Sequence, residues 1–133
     1  MKSFITILKT SLLIILPISI WISGSCSEEP RYKDFLTQVD SLKADIDGAL
    51  VEIDIYGIIS YNGCSRFSHC NTYVKDNDLI IEAWKTRDTE AFACPTVMVY
   101  LDQHITFDRD KLPDSFNIKV KQPDGSFLVK KMN

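Results

Sequence analysis

Apolar and polar residues alternate along most of the chain from residue 49 onward. The segment "ALVEIDIYGIISY" has Val51, Ile53 and Ile55 on one side and acidic residues on the other, which predicts a half-buried β-strand. Gly57 within this segment predicts a bulge at which the strand bends. The segment "NTYVKDNDLIIEAWKT" predicts two further strands around a tight turn at "KDND". The inward side chains of the second of these strands are Leu79, Ile81 and Ala83.

The next segment, "AFACPTVMVYLDQHITFD", predicts a longer strand followed by a turn and a short strand. Its first part has Val97, Val99 and Leu101 facing inward. After the turn, Ile105 and Phe107 form the apolar side of the short strand.

The C-terminal segment "SFNIKVKQPDGSFLVKKM" predicts a β-hairpin. Apolar residues alternate on the first strand, "QPDG" has proline at the second position of a turn, and apolar residues alternate again on the way back. These residues are Phe116, Ile118, Val120, Phe127 and Val129. Strands at such short spacing predict an all-β fold, either a small antiparallel β-sandwich or a barrel. We expect an immunoglobulin-like sandwich of about seven strands.

Residues 34–48 have a different period. Phe35, Val39, Leu42 and Ile46 follow one another at intervals of four, three and four, and Gly48 comes next. This spacing predicts a short helical N-terminal arm that ends at the glycine. An irregular arm packed against the domain is the alternative.

The first 25 residues have the composition of a secretory signal peptide. Lys2 and Lys9 make the start positive, residues 12–22 are mostly apolar, and small residues lead into Cys26. The apolar run is about half of the roughly 20 residues that span a bilayer, and a retained transmembrane anchor is the alternative. The predicted organisation is a signal peptide over 1–25, a tether over 26–33, and one domain over 34–133.

The residues around Cys26 carry a resemblance. "SGSC" resembles a bacterial lipobox, in which the cysteine becomes the first mature residue and carries lipid on its thiol and amine. "CSEEP" is similar to the signal that directs lipoproteins of the Bacteroidota to the cell surface. The resemblance implies a lipid anchor at Cys26 in the bacterial outer membrane, facing the periplasm or the outside. Ser23 and Ser25 also suit ordinary signal peptidase, which would release a soluble protein.

The charge of the mature segment limits its partners. Two of the 15 basic residues, Lys2 and Lys9, precede Cys26, which leaves 13 basic against 18 acidic residues and a net charge of −5. This charge argues against a nucleic-acid partner and against adhesion to anionic lipid by charge.

Three cysteines remain if Cys26 carries lipid: Cys64, Cys70 and Cys94. An odd number in an oxidising compartment predicts one disulfide and one free thiol. We favour the pair Cys64–Cys94, which closes a loop of about 31 residues and would contribute roughly 3–4 kcal/mol. Pairing of Cys70 with Cys94 is the rival.

The same three cysteines and His69 are residue types that bind zinc in structural sites. No two of the cysteines, however, have the C-x₂-C spacing that is typical of such sites. In addition, His69 and Cys70 are adjacent and should point to opposite sides of a strand. We therefore expect no metal and no cofactor. A Cys–His catalytic pair lacks an orienting partner nearby, and His104 is isolated, so no catalytic residue is assigned.

Aromatic residues are concentrated around the first of these cysteines. Tyr61, Arg66, Phe67 and Tyr73 would form a binding loop for a glycan or a protein if they are exposed together. If they are buried, they are part of the sandwich core. "DSL" at residues 40–42 resembles the O-glycan acceptor of Bacteroidota, with Ser41 as the modified residue, and an ordinary surface serine is the alternative.

Two resemblances concern the domain itself. "GCSRFSHCNTYVKDNDLIIE" with the later "AFACP" is similar to META-type domains, small β-rich exported domains, through residues 63, 64, 67, 93 and 94. "LPDSFNIKVKQPDGSF" resembles the last strands of immunoglobulin-like lipoprotein domains. Neither family implies a catalytic residue.

These observations together predict a non-enzymatic, lipid-anchored cell-envelope protein with a binding or structural role. The alternative is a secreted or periplasmic small enzyme or enzyme inhibitor that acts through a loop over residues 61–73.

Overall fold

Eight β-strands make up most of residues 29–133, the part of the chain that the computed structural model describes. The strands are β1 (Tyr32–Leu36), β2 (Ser41–Asp47), β3 (Leu50–Ser60), β4 (Ser65–Lys75), β5 (Asp78–Asp88), β6 (Val99–Asp108), β7 (Phe116–Lys121) and β8 (Phe127–Met132). A single 3₁₀ turn at Arg109–Lys111 follows β6, and no α-helix occurs within these residues. The predicted signal peptide and Cys26 lie outside the described residues.

The strands form two sheets. In the five-stranded sheet, β5 pairs along its whole length with β4, and on its other side with β1 and β7. The pairing with β7 is parallel and covers residues 78–81, whereas β1 is antiparallel to the second half of β5. β8 completes this sheet beside β7. The three-stranded sheet has β3 in the middle, between β2 and β6.

The hydrophobic core lies between the sheets and contains side chains from both. Each strand contributes alternate residues, as a pleated strand with one buried face requires. The fully buried large side chains are Val51, Ile53, Ile55, Ile59, Leu79, Ile81, Leu101, Phe116, Ile118 and Val120. The predicted all-β sandwich is confirmed, with eight strands in place of about seven, and the immunoglobulin-like connectivity stays a prediction.

Burial confirms the alternation predicted for the central strands. The backbone conformation confirms the final turn. The inward residues predicted for β3, β5 and β7 are almost completely buried. In "QPDG" the amide of Gly125 donates to the carbonyl of Gln122 at 3.0 Å, and Gly125 has a φ of +85°. On the returning strand β8, however, Phe127 and Val129 face solvent, because the register with β7 turns Leu128 and Met132 inward.

The predicted helical arm is wrong: residues 32–47 form β1 and β2. The backbone of β1 pairs with β5 and that of β2 with β3, so sheet pairing overrides a weak helical period. Phe35 and Ile46 are exposed, while Val39 is buried at the crossover between the two sheets. Ser41 is the first residue of β2. β1, the first strand among the described residues, begins at Tyr32.

The turn predicted inside residues 97–107 is also wrong. β6 runs without interruption from Val99 to Asp108, opposite β3. Val97 is half exposed in the loop before the strand, where its amide donates to the carbonyl of Pro95 at 3.0 Å. A local turn of the backbone therefore keeps Val97 out of the sheet.

The irregularity predicted at Gly57 lies next to it. The register of β3 with β6 shifts between Ile58 and Ser60, whereas Gly57 itself pairs with Leu101. A Cβ atom at Gly57 would collide with the backbone carbonyl of Gln38. The glycine is needed because the crossover from β1 to β2 passes directly against β3, where Asp40 donates to the carbonyl of Tyr56 at 2.8 Å.

Candidate functional site

The outward side of the five-stranded sheet has a row of aromatic side chains. Residues that are partners in an antiparallel register point to the same side of a sheet, and here the outward side opposes the buried Leu79 and Ile81. We call this surface the aromatic face; its aromatic residues are Tyr32, His69, Tyr73, Trp84 and Phe127. From Ile80 to Asp88 the row follows β5 for about 26 Å at the usual rise of a strand.

At one end of the aromatic face, Tyr32 lies between two arginines. The guanidinium carbons of Arg31 and Arg66 are each 5.5 Å from the centre of its ring, within the range of a cation–π contact. Arg31 also makes a bidentate ion pair with Asp88, with Nη2 to Oδ2 at 2.8 Å and Nε to Oδ1 at 3.1 Å. Hydrogen bonding to Arg31 holds the pKa of the Asp88 carboxyl below its usual range. The arrangement therefore fixes one arginine and leaves Arg66 exposed beside the ring.

Further along the row, Trp84 stacks with His69. Their ring centres are 6.1 Å apart and their planes differ by 11°. The two residues are register partners on β5 and β4, at the point where the register shifts between Phe67 and His69. Nδ1 of His69 is 2.9 Å from Oγ of Ser68, the additional residue of this bulge.

The far half of the aromatic face combines aromatic rings with ion pairs. Glu82 accepts from Lys121 at 3.0 Å and from the hydroxyl of Tyr73 at 3.4 Å. The hydrogen bond to Glu82 raises the pKa of Lys121. Next to this group, Phe127 borders a small pocket of about 240 Å³ whose floor includes the buried Ile80. Aromatic surface and fixed polar groups thus alternate along the row.

A cleft adjoins the aromatic face at the edge formed by β1. Its volume is about 620 Å³, within the range of small-molecule sites. Apolar Phe35, Leu36 and Trp84 line it together with the basic Lys85 and Arg87. Because Trp84 belongs to both, the cleft and the aromatic face are continuous.

The outward side of the three-stranded sheet has the opposite chemistry. Six acidic side chains alternate there with a few others, and we call this surface the acidic face. Its acidic residues are Asp45, Asp47, Glu52, Asp54, Asp102 and Asp108. Tyr56 is exposed among them, and the negative charge of Asp102 raises the pKa of its hydroxyl. His104 is paired with Asp54, with Nδ1 to Oδ1 at 2.7 Å.

The pairing of His104 with Asp54 predicts that the pKa of His104 depends on the Asp54 carboxylate. The hydrogen bond that His104 donates to Asp54, with the charges of Asp54 and Glu52, raises the pKa of His104 above its usual 6.5. We expect Asp54→Asn to lower that pKa, measured by NMR titration of the His104 ring protons. Since the folded pKa is raised, any stability from the pair is complete below pH 6.5 and is lost as the pH rises through the folded pKa. Asp78→Asn, on the other sheet, is the control, and an equal shift in both variants would contradict the assignment.

The disulfide lies at one end of the sandwich. Cys64, just before β4, is bonded to Cys94 in the loop between β5 and β6, with their Cα atoms 5.2 Å apart. The predicted pair is confirmed and the rival pair with Cys70 is wrong. Cys70 has a free thiol that faces the core opposite Ala83, and burial raises its pKa.

The side chains of His69 and Cys70 point in the directions that the strand period predicts. His69 points outward to Trp84 while Cys70 points inward, so the two adjacent side chains are on opposite sides of β4. In residues 29–133, no three His, Cys, Asp or Glu side chains are grouped so that they could hold a metal ion.

The structure separates the four residues of the predicted binding loop. The loop ends at Cys64, and residues 65–75 form β4, so an exposed loop over 61–73 does not exist. Tyr61 is exposed at the disulfide end, Phe67 packs against the core, and only Arg66 and Tyr73 belong to the aromatic face. The core assignment is wrong for both tyrosines, which are more than 40% exposed.

The sequence interpretation missed Tyr32, His69 and Phe127 as members of this surface. The sequence pattern assigns Tyr32 to a tether, whereas its partner on β5, Asp88, is 56 positions away. The pattern assigns Phe127 to the apolar side of a hairpin, because alternation alone does not say which side faces the core. The aromatic residues of this row come from several strands that are far apart in the chain. No single sequence period therefore identifies them as a group.

The fold and its surfaces define this protein as a disulfide-bonded β-sandwich domain with one aromatic and one acidic outer face. No protein-family model matches the chain, and no curated protein or solved structure matches it. Among residues 29–133 there is no helix long and apolar enough to cross a membrane.

Proposed function

We propose that this protein is a non-enzymatic, lipid-anchored protein of the bacterial outer membrane that binds an extended glycan on its aromatic face. The anchor is the lipid on Cys26, as the resemblance of "SGSCSEEP" to a lipoprotein signal implies. Two or three acyl chains on one cysteine hold a protein stably on a membrane, whereas one chain holds it only marginally. The resemblance of the C-terminal hairpin to immunoglobulin-like lipoprotein domains supports the same assignment.

The observation that carries the binding proposal is the asymmetry between the two outer faces. Exposed tyrosine rings provide an apolar surface with a polar edge, which suits the C–H faces and hydroxyl groups of sugar rings, and the half-buried Trp84 extends the apolar surface between them. On the aromatic face these rings alternate with fixed hydrogen-bonding groups, such as the Glu82–Lys121 pair. The acidic face covers the other side of the same core with two exposed tyrosines, Tyr56 and Tyr100, among six acidic side chains, so folding does not require a row of five aromatic rings on an outer face.

An array of immobilised oligosaccharides tests the binding. We expect the mature protein to be retained, and the double variant Tyr32→Ala/Tyr73→Ala to bind at least about tenfold more weakly, equivalent to roughly 1.4 kcal/mol. Both side chains are more than 40% exposed, so their loss should leave the fold intact.

Leu50→Ala/Tyr56→Ala is the matched control, because it removes two apolar side chains of similar exposure from the other sheet. Equal weakening by both pairs of substitutions would rule out the aromatic face. Retention on no oligosaccharide, together with capture of an exported protein that depends on Tyr32 and Tyr73, would replace the glycan by a protein ligand.

Metabolic labelling with a fatty acid tests the anchor separately. We expect label on the wild type and none on Cys26→Ala, while Cys70→Ala keeps the label. Equal label on wild type and Cys26→Ala, or none on either, would contradict the lipid anchor without affecting the binding result.

A further inference from the structure

The disulfide end of the sandwich exposes a group of apolar side chains. Phe92 is 105% exposed, which means that its ring contacts almost nothing else in the protein. Four other apolar residues at this end of the sandwich, in the loops next to β4 and β6 and at the start of β6, are between 43% and 69% exposed. We call this group the apolar tip; its members are Tyr61, Phe92, Val97, Met98 and Tyr100. An exposed apolar group of this kind marks a surface that contacts a protein or a membrane.

The backbone beneath the apolar tip is held in place. The disulfide joins Cys64 to Cys94, and the amide of Gly63 donates to the carbonyl of Pro95 at 2.9 Å. A Cβ atom at Gly63 would lie 3.2 Å from Cγ1 of Val97, so this glycine packs directly against the loop. The backbone of the apolar tip is therefore held in place near the disulfide, and the ring of Phe92 projects into solvent from this end of the domain.

The N-terminal segment reaches the sandwich at the same end. The amide of Thr89 donates to the carbonyl of Arg31 at 2.8 Å, and Arg31 is paired with Asp88. Thr89 is three positions before Phe92. Only residues 27–30 separate Cys26 from Arg31, and five residue steps extend to at most about 18 Å. A lipid on Cys26 would thus hold Arg31, and the end of β5 bonded to it, within about that distance of the bilayer surface, with Phe92 three residues further along the chain from Thr89.

We propose that the apolar tip inserts into the interfacial region of the bilayer to which Cys26 is anchored, so that the domain stands on the membrane with the end bearing Phe92 downward. This inference rests on the lipid anchor proposed above. Tyrosine is enriched at membrane interfaces, and phenylalanine is typical of the apolar side of interfacial segments. Since the mature segment is acidic, the contact is apolar and does not depend on anionic lipid. β5 runs toward this end, so the aromatic face stands upright beside the membrane and stays accessible.

Fluorescence of the purified lipidated protein in phosphatidylcholine vesicles tests the insertion. Phe92→Trp places a reporter on the apolar tip, and Ile46→Trp places one at the opposite end, where Ile46 is also exposed. With Trp84 as the common background, we expect Phe92→Trp to be quenched at least about twofold more by brominated than by ordinary lipid. Ile46→Trp should be quenched no more than the parent protein, and 0.5 M salt should leave both results unchanged.

Each of the following results would contradict insertion of the apolar tip into the bilayer. Equal quenching of the two reporters would show that the domain has no fixed orientation. A blue-shifted but unquenched Phe92→Trp would place the ring against protein, either a second copy or another partner. Loss of quenching in salt would show that charge holds the contact. If mass spectrometry finds no lipid on Cys26, the anchor itself fails and the inference fails with it, whereas a lipidated protein with an unquenched tip overturns the inference alone.

Discussion

Replacing Cys64 and Cys94 together by serine is expected to destabilise the domain by roughly 3–4 kcal/mol, since the disulfide closes a long loop. The two cysteines are 30 positions apart, and β4 and β5 lie between them. The crosslink restricts the unfolded chain, whereas the folded chain already holds its two ends together through the hydrogen bond from Gly63 to Pro95. Most of the loss should therefore come from the greater freedom of the unfolded state.

Urea unfolding of the mature protein measures this loss. We expect a lower midpoint and a higher dependence of the free energy on urea, because the unfolded chain without a crosslink exposes more surface. Cys70→Ala is the control: it removes a half-buried thiol and leaves the disulfide, and it should cost much less. The loop-closure explanation would be wrong if Cys70→Ala shifted the midpoint as far as the double variant.

Gln122→Ala is expected to cost about 2–4 kcal/mol, because it leaves two buried backbone groups without partners. The side chain of Gln122 is 5% exposed. Its Oε1 accepts from the amide of Val39 at 3.1 Å and its Nε2 donates to the carbonyl of Val39 at 3.2 Å. This pair of bonds holds the crossover between β1 and β2 against the turn between β7 and β8.

The same unfolding experiment measures this effect, with Gln103→Ala as the matched control. Gln103 is on β6, and its amide bonds only to the carbonyl of the preceding Asp102. We expect Gln103→Ala to change the free energy of unfolding by less than about 0.5 kcal/mol. Similar losses in both variants would show that the Val39 contacts contribute little. Gln122→Glu separates the two bonds, since it keeps an acceptor for the Val39 amide and loses the donor.

The sequence predicted the strands that face the core on one side and missed those whose position depends on distant partners. β3, β5 and β7 have an apolar residue at every second position over their central part, and all of their expected inward side chains are buried. β1 and β2 have mixed composition and become strands only because β5 and β3 offer backbone partners to them. Nothing local in residues 32–47 contains this information.

The surfaces were less predictable than the core. The disulfide could be argued from cysteine count and loop length, and it is confirmed. The proposed ligand residues could not be grouped correctly, because Arg66 and Phe67 are neighbours in sequence but point to opposite sides of β4. Tyr32 and Arg66, in contrast, are 34 positions apart and in cation–π contact.

The inward position of Cys70 has a consequence for disulfide formation if the protein is exported as proposed. Cys64 and Cys70 precede Cys94 in the chain, so oxidation of an emerging, unfolded chain would first bring these two together. In the folded sheet, however, Cys70 faces the core opposite Ala83, and Cys64 lies just before β4, bonded to Cys94. A chain joined at Cys64 and Cys70 would therefore need thiol–disulfide exchange to reach the pair present in the fold.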